Sequence, residues 1–222
     1  MPCFREQHWV FSANDALWGH LMRKIPALLS ILTSLAIACG FPEVSVKAAN
    51  SSGKFAVKDV GRTTCASFSA VRKTDGPRYQ QLIGFAEGYL TAANRYEPNT
   101  FDLAPWHTVS GIGVILDGYC RTNGAVHFIA ALEKMVVAMQ PIRLADYSPS
   151  IDIVGSGHHV RVYQTILKRA QGVLHRQGLY AGAEDGLDSP RLREAIKTFQ
   201  QREKLDPTGL PDPATLWKLL SP

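Results

Sequence analysis

The chain has 222 residues, 45% hydrophobic and 19% charged, and a formal net charge of +5. That length holds one or two domains, and the hydrophobic content is ordinary for a globular protein. The positive charge is dispersed, and its densest cluster, Lys168, Arg169 and Arg176, reads as one solvated helix face. Without a basic stripe interleaved with aromatics, nucleic acid is not an expected partner.

The N-terminal segment reads as a targeting signal. From Ile25 it runs IPALLSILTSLAIACGF, preceded by Arg23 and Lys24. A basic start followed by about 15 apolar residues has the layout of a secretory signal. Ala48 and Ala49 offer small residues for cleavage. The run is shorter than the about 20 residues a membrane helix needs. Residues 1–21 have no signal character, so residues 1–49 are read as leader and signal peptide, with Met22 as the expected true start. Ala36-Ile37-Ala38-Cys39 resembles a bacterial lipoprotein box, with alanine where leucine is usual. That resemblance implies a lipid anchor at Cys39 as an alternative to soluble export. An uncleaved signal is a further route to membrane anchorage.

Export removes or modifies Cys3 and Cys39 and leaves Cys65 and Cys120. Two cysteines in an oxidising compartment most simply form one disulfide. Closing that loop stabilises the fold by roughly 4 kcal/mol in the chain-entropy picture.

Residues 60–145 read as a helical domain holding that disulfide. Residues 79–96 place Leu82, Phe85, Ala86, Tyr89, Leu90 and Ala93 at helical spacing. Gly84, Gly88 and Ala92 recur every four residues and are read as a ridge for close approach of a neighbouring backbone. A second helix is expected over 109–120. A third follows a break at Thr122-Asn123-Gly124 and runs through Val126, Phe128, Ile129, Leu132, Met135, Val136 and Met139. Strand-like alternation is nearly absent from this segment. Residues 146–159 are rich in Ser and Gly and read as a linker.

Residues 160–222 form the last unit. A helix is expected over 160–177, with Ile166, Leu167, Ala170 and Leu174 on its inner face. Two similar stretches follow, DGLDSPRLREAI (185–196) and TGLPDPATLWKL (208–219). Gly186, Leu187, Ser189 and Pro190 recur 23 positions later as Gly209, Leu210, Asp212 and Pro213. Each copy has a glycine for a positive-φ turn, a leucine for the core, a Ser or Asp N-cap and a proline at the first helical position. The whole chain is therefore expected to be all-α: a small disulfide-linked helical domain followed by a three-helix bundle. A bundle this small has a marginal core, and strong signals at each helix start help to specify it.

The motif Gln171…Leu174…Gly178-Leu179-Tyr180…Gly182…Asp185-Gly186…Pro190…Ala195-Ile196…Phe199-Gln200…Leu205…Thr208-Gly209…Asp212…Thr215-Leu216 resembles the peptidoglycan-binding-like domain of bacterial cell-wall proteins. The resemblance covers essentially all of 160–222. It departs from the family at Leu192, where threonine is usual, and at Lys204, where glycine often ends the second helix. It implies a non-catalytic module that holds its host on peptidoglycan. Such a ligand offers apolar sugar faces, amides and carboxylates, which aromatic, amide and arginine side chains recognise. The candidate binding residues are Tyr180, Arg191, Arg193, Gln200, Gln201 and Trp217. Each has a structural alternative: Trp217 and Tyr180 as core or half-buried groups, Gln200 as a partner for backbone, the arginines as a solvated face.

Cys65-Ala-Ser-Phe68, a helix, and Cys120 with Phe128 beyond it resemble the periplasmic acid-stress chaperone (HdeA-like) fold. That resemblance spans about 60–140 and implies a small helical domain with one disulfide. Chaperone activity does not carry over with it.

An enzyme in front of the module is the competing reading. Cys120-Arg121 with His107 upstream is vaguely similar to the L,D-transpeptidase pattern, but Asp117-Gly118-Tyr119 stands where Ser-His-Gly is needed, so a disulfide is the stronger assignment. A glycosidase needs two carboxylates across a cleft, and Glu87 and Asp117 are the pair available. No signature surrounds them. His158-His159 lacks a third ligand at metal-site spacing, and neither metal nor cofactor is expected. The leading expectation is an exported, non-catalytic envelope protein that binds peptidoglycan, with the protein partner of its front domain undefined. The alternatives are a wall hydrolase acting through Glu87 and Asp117, or a periplasmic stress protein whose C-terminal bundle docks protein.

Overall fold

In the computed structural model, residues 49–50, 52–155 and 157–221 are described, and residues 1–48 of the expected leader, with Met22 and Cys39, lie outside them. Helix starts are set by local chemistry. Thr64, Thr108, Ser189 and Asp212 each hold extended backbone and accept the N–H three residues on, at 3.3, 3.0, 3.1 and 2.8 Å. Each satisfies a donor that the first helical turn leaves without a partner. The helices are α1 (Cys65–Arg72), α2 (Pro77–Tyr96), α3 (Val109–Thr122), α4 (Phe128–Met139), α5 (Gln164–Arg176), α6 (Pro190–Arg202) and α7 (Pro213–Leu220). Pro77, Pro190 and Pro213 occupy first helical positions.

α1 to α4 enclose one core. Phe68 and Phe128 are fully buried and stack with ring centroids 4.7 Å apart. Leu82, Ala86 and Leu90 of α2, Leu116 of α3 and Leu132 of α4 pack around them. The Cys65–Cys120 disulfide ties α1 to α3 inside this core. The expected ridge of Gly84, Gly88 and Ala92 is not a packing surface. Its three residues are exposed, and a Cβ added at Gly84 or Gly88 would meet nothing within 4 Å. Four-residue spacing shows that they share a face, and the apolar stripe of α2 turned the opposite face inward.

The chain is not purely helical. Residues 150–155, read as linker, and 158–163, read mostly as helix, form an antiparallel hairpin of β1 (Ser150–Gly155) and β2 (His158–Tyr163). Gly157, at φ 74, occupies the turn. Ile153 and Val162 are the inward, buried members of the alternation, and α5 begins four residues later than the sequence suggested. The hairpin is fastened to the front segment. Phe101 packs edge-on against Tyr147 and Tyr163, with centroids 5.4 and 5.9 Å away. The Tyr163 hydroxyl donates to Asp102, and burial together with that carboxylate pushes the Tyr163 pKa up to about 12.

The second core lies among α5, α6, α7 and the hairpin. Ile166, Leu167, Leu174, Leu192, Phe199 and Leu216 are its centre. Trp106 and Leu144, both upstream of the hairpin, belong to it too. The two cores therefore sit within one compact unit of the chain.

Candidate ligand-binding groove

The turn before α6 and the turn before α7 are each held by a fully buried glutamine from the preceding helix. Gln171 of α5 accepts the Gly186 N–H through Oε1 at 2.7 Å and donates through Nε2 to the Leu187 carbonyl at 3.1 Å. Gln200 of α6 accepts the Gly209 N–H at 2.8 Å and donates to the Leu210 carbonyl at 3.0 Å. The residue before each glycine adds a further match. Asp185 accepts the Leu187 N–H at 2.9 Å, and Thr208 accepts the Leu210 N–H at 3.2 Å. Both glycines have positive φ, 76 and 72. A Cβ on Gly186 would lie 2.5 Å from the Gln164 carbonyl oxygen, and one on Gly209 would lie 3.0 Å from that of Arg193. The scaffold is thus a helix-and-turn unit used twice, but the leucine expected in the core of each copy is buried only in the second: Leu210 is 1% exposed and Leu187 50%.

This scaffold assigns the sequence candidates to different environments. Gln200 is consumed by the clamp. Tyr180 is buried, and its hydroxyl donates to the Ala183 carbonyl at 3.0 Å. Arg193 pairs with Asp188, donates to the Val154 carbonyl at 3.0 Å, and so ties α6 to the hairpin. Arg191 and Gln201 are exposed on α6. Trp217 is 43% exposed.

Trp217 forms one wall of a groove of about 440 Å³ between α3 and α7. Pro213, Ala214 and Lys218 continue that wall, and Leu205 closes one part of it. The facing wall is Thr108, Ser110, Gly111, Val114 and Ile115 from the start of α3, with Trp106 and His107 just before it. His107 stacks on Trp106 at 5.3 Å and meets Trp217 edge-on at 5.4 Å. Neither His107 ring nitrogen nor the Trp106 Nε1 has a hydrogen-bond partner, although all three atoms are buried. Each such orphan costs about 1–3 kcal/mol. Burial pulls the His107 pKa down to about 4, with a small opposing pull from the Ala104 backbone. The ring is therefore neutral at pH 7. Among the described residues no carboxylate lines this groove, and Lys218 supplies a positive charge.

A second concavity of about 480 Å³ is also lined by Trp106. It contains Lys168, Arg169, Arg176 and Glu184. Arg169 is engaged, donating to the Ile142 and Arg143 carbonyls at 2.6 and 2.9 Å. Glu184 pairs with His175 at 2.8 Å.

The residues weighed for catalysis are otherwise occupied or apart. Cys120 is in the disulfide. Asp117 is held by Arg72 at 3.5 Å and Arg121 at 3.9 Å, and Glu87 is on the exposed side of α2. Among the described residues, no group of three or more His, Cys, Asp or Glu is placed to hold a metal ion. His159 instead meets Asp152 across the hairpin at 2.8 Å. No helix of the described residues is long and apolar enough to cross a membrane.

Sequence reading named His107 only as an upstream partner for Cys120, which is in the disulfide, and missed the rest of the α3 side of the groove. Trp106 and His107 stand in a loop with no periodic pattern, and their contacts to α7 are far away in sequence. The only available signal was the adjacency of two aromatic rings, Trp106-His107.

Duplicated clamps, paired caps and three short helices make up a small helical module. Residues 164–219 match the family model of the peptidoglycan binding domain. The Localization factor PodJL of Caulobacter vibrioides, strain NA1000 / CB15N, is 48% identical to this chain over 50 residues. The same factor of strain ATCC 19089 / CIP 103742 / CB 15 gives the same identity over the same length. The match takes in 22% of this chain and 5% of each relative, so only a small part of either relative is shared. No solved structure matches the chain.

Proposed function

We propose that this chain is an exported, non-catalytic protein of the bacterial cell envelope, held on peptidoglycan by its C-terminal helices. The match of residues 164–219 to the peptidoglycan binding domain carries the reading. Two observations support it. Both buried-glutamine clamps are complete, so the module has its full internal hydrogen bonding. Trp217 leaves a large aromatic surface open to solvent, as a sugar-binding face requires. The Cys65–Cys120 disulfide supports export, because such bonds persist in oxidising compartments.

In this reading the front helical segment is an adaptor, and its disulfide core maintains shape rather than performing chemistry. The test uses sacculi carrying a covalently attached dye. The protein is expected to pellet with them and release no dye above buffer. Release that is abolished by Glu87→Gln overturns the non-catalytic assignment in favour of a hydrolase. Failure to pellet overturns wall binding.

A further inference from the structure

We propose that the groove between α3 and α7 is a composite binding site for an N-acetylated amino-sugar unit of the wall glycan that carries an acidic substituent. Half of this site lies outside the segment that matches the peptidoglycan binding domain. The inference rests on the wall-binding reading and names where and what the module binds.

Four properties of the groove select this ligand. Its volume, about 440 Å³, suits a small ring system and falls in the range of roughly 300–1,000 Å³ typical of small-ligand clefts. A protein partner would need a much broader face. Trp217 and Val114 are 43% and 55% exposed on opposite walls, so the groove offers apolar contact from both sides. An amino sugar brings a C–H face for the indole and an acetamido methyl for the aliphatic wall. Trp106 and His107, which line the groove, also carry buried ring nitrogens without partners in the protein. Trp106 is 6% exposed and its Nε1–H has no acceptor, while His107 has two unpaired ring nitrogens. An acetamido group and ring hydroxyls supply both acceptors and donors. Finally, among the described residues lining the groove Lys218 is present and carboxylates are absent, which favours an anionic substituent such as a muramyl carboxylate or the acidic end of a stem peptide.

The cationic concavity that Trp106 also lines fits less well, because Arg169 is already bonded to backbone and Glu184 lies inside it. The small-residue ridge of α2 offers nothing to bind.

The test titrates the isotope-labelled full chain with N-acetylmuramyl-L-alanyl-D-isoglutamine, using glucose as the control that lacks both the acetamido group and the carboxylate. The indole N–H resonances of Trp106 and Trp217 are expected to shift in a saturable manner with the muramyl probe and not with glucose. Ser110→Trp fills the groove from an exposed position on α3 and is expected to weaken probe binding at least tenfold. Val114→Glu places a negative charge in the same groove and gives an independent check with the same expected loss. Sedimentation of the same proteins with sacculi separates the two levels of the account. Wild-type protein that pellets, but shows no indole shift at about 10 mM probe, a generous limit for one weak module, overturns the groove and leaves wall binding standing. Undiminished probe binding by both variants does the same. Saturable indole shifts without pelleting leave the groove standing and overturn wall binding.

Discussion

Gln171 and Gln200 stand 29 positions apart and perform the same task, each closing a glycine turn through its amide oxygen and nitrogen. Gln200 does more, because its Nε2 also lies within 3.2 Å of Thr208 and Asp212 and 2.8 Å from Thr215. Replacing Gln200 with leucine strands the Gly209 N–H and the Leu210 carbonyl in an apolar interior. We expect a loss of about 3 kcal/mol, from about 1–3 kcal/mol for each stranded group. Gln171→Leu is expected to cost less, since Gln171 has fewer buried partners. Urea unfolding of the two variants beside wild type measures both, and equal midpoints for all three proteins would refute the clamp.

Glycine positions divide by environment. Gly186 combines φ 76 with a backbone oxygen 2.5 Å from its would-be Cβ. Gly186→Ala is expected to destabilise by at least about 2 kcal/mol, since both strain and a backbone shift are required. Gly88 has open space around it in mid-helix. Gly88→Ala is expected to stabilise by about 0.5–1 kcal/mol through helix propensity alone. Thermal melts of the pair should move in opposite directions.

The disulfide closes a sequence separation of 55 residues. Its removal by the double replacement of Cys65 and Cys120 with alanine is expected to cost about 4 kcal/mol, most of it through a freer unfolded chain. The loss should concentrate in the α1–α4 core. Hydrogen exchange reads this directly, with protection falling in α1 and α3 before it falls in α5 and α6.

His107 gives the fold a defined sensitivity to acid. Its pKa is about 4 when folded and 6.5 as the ordinary value, so the unfolded chain binds its proton first. The stability it contributes is complete above pH 6.5 and is lost as pH falls towards 4. After allowance for the ring's partial exposure, the loss is of order 2 kcal/mol. Asp102 works in the opposite sense, because burial raises its pKa and favours the protonated folded form. Comparing wild type with His107→Phe across this window isolates the histidine. The variant is expected to show the shallower decline, and parallel curves would remove His107 from the account.

Much of the C-terminal unit was legible because its specification is local. Ser189-Pro190 and Asp212-Pro213 announce helix starts within two residues, and Gly186 and Gly209 announce the turns. The cysteine pair was legible by elimination. The equivalence of the glutamines was hidden, because Gln171 precedes its glycine by 15 positions and Gln200 by 9. The hairpin was hidden for a different reason. The alternation of Ile151 with Ile153 and Val160 with Val162 is short, and the sequence Gly155-Ser156-Gly157 reads as linker composition. The groove was least legible of all. It depends on Trp106 and His107 meeting Trp217, a contact across more than a hundred positions that no periodicity records.

Wall binding itself is tested most directly by the fraction of purified full-length protein that sediments with peptidoglycan sacculi. The account predicts that the wild-type chain moves into the pellet and that Trp217→Ala, with an unchanged circular dichroism spectrum, stays largely in solution. A folded wild-type protein recovered wholly in the supernatant would contradict it.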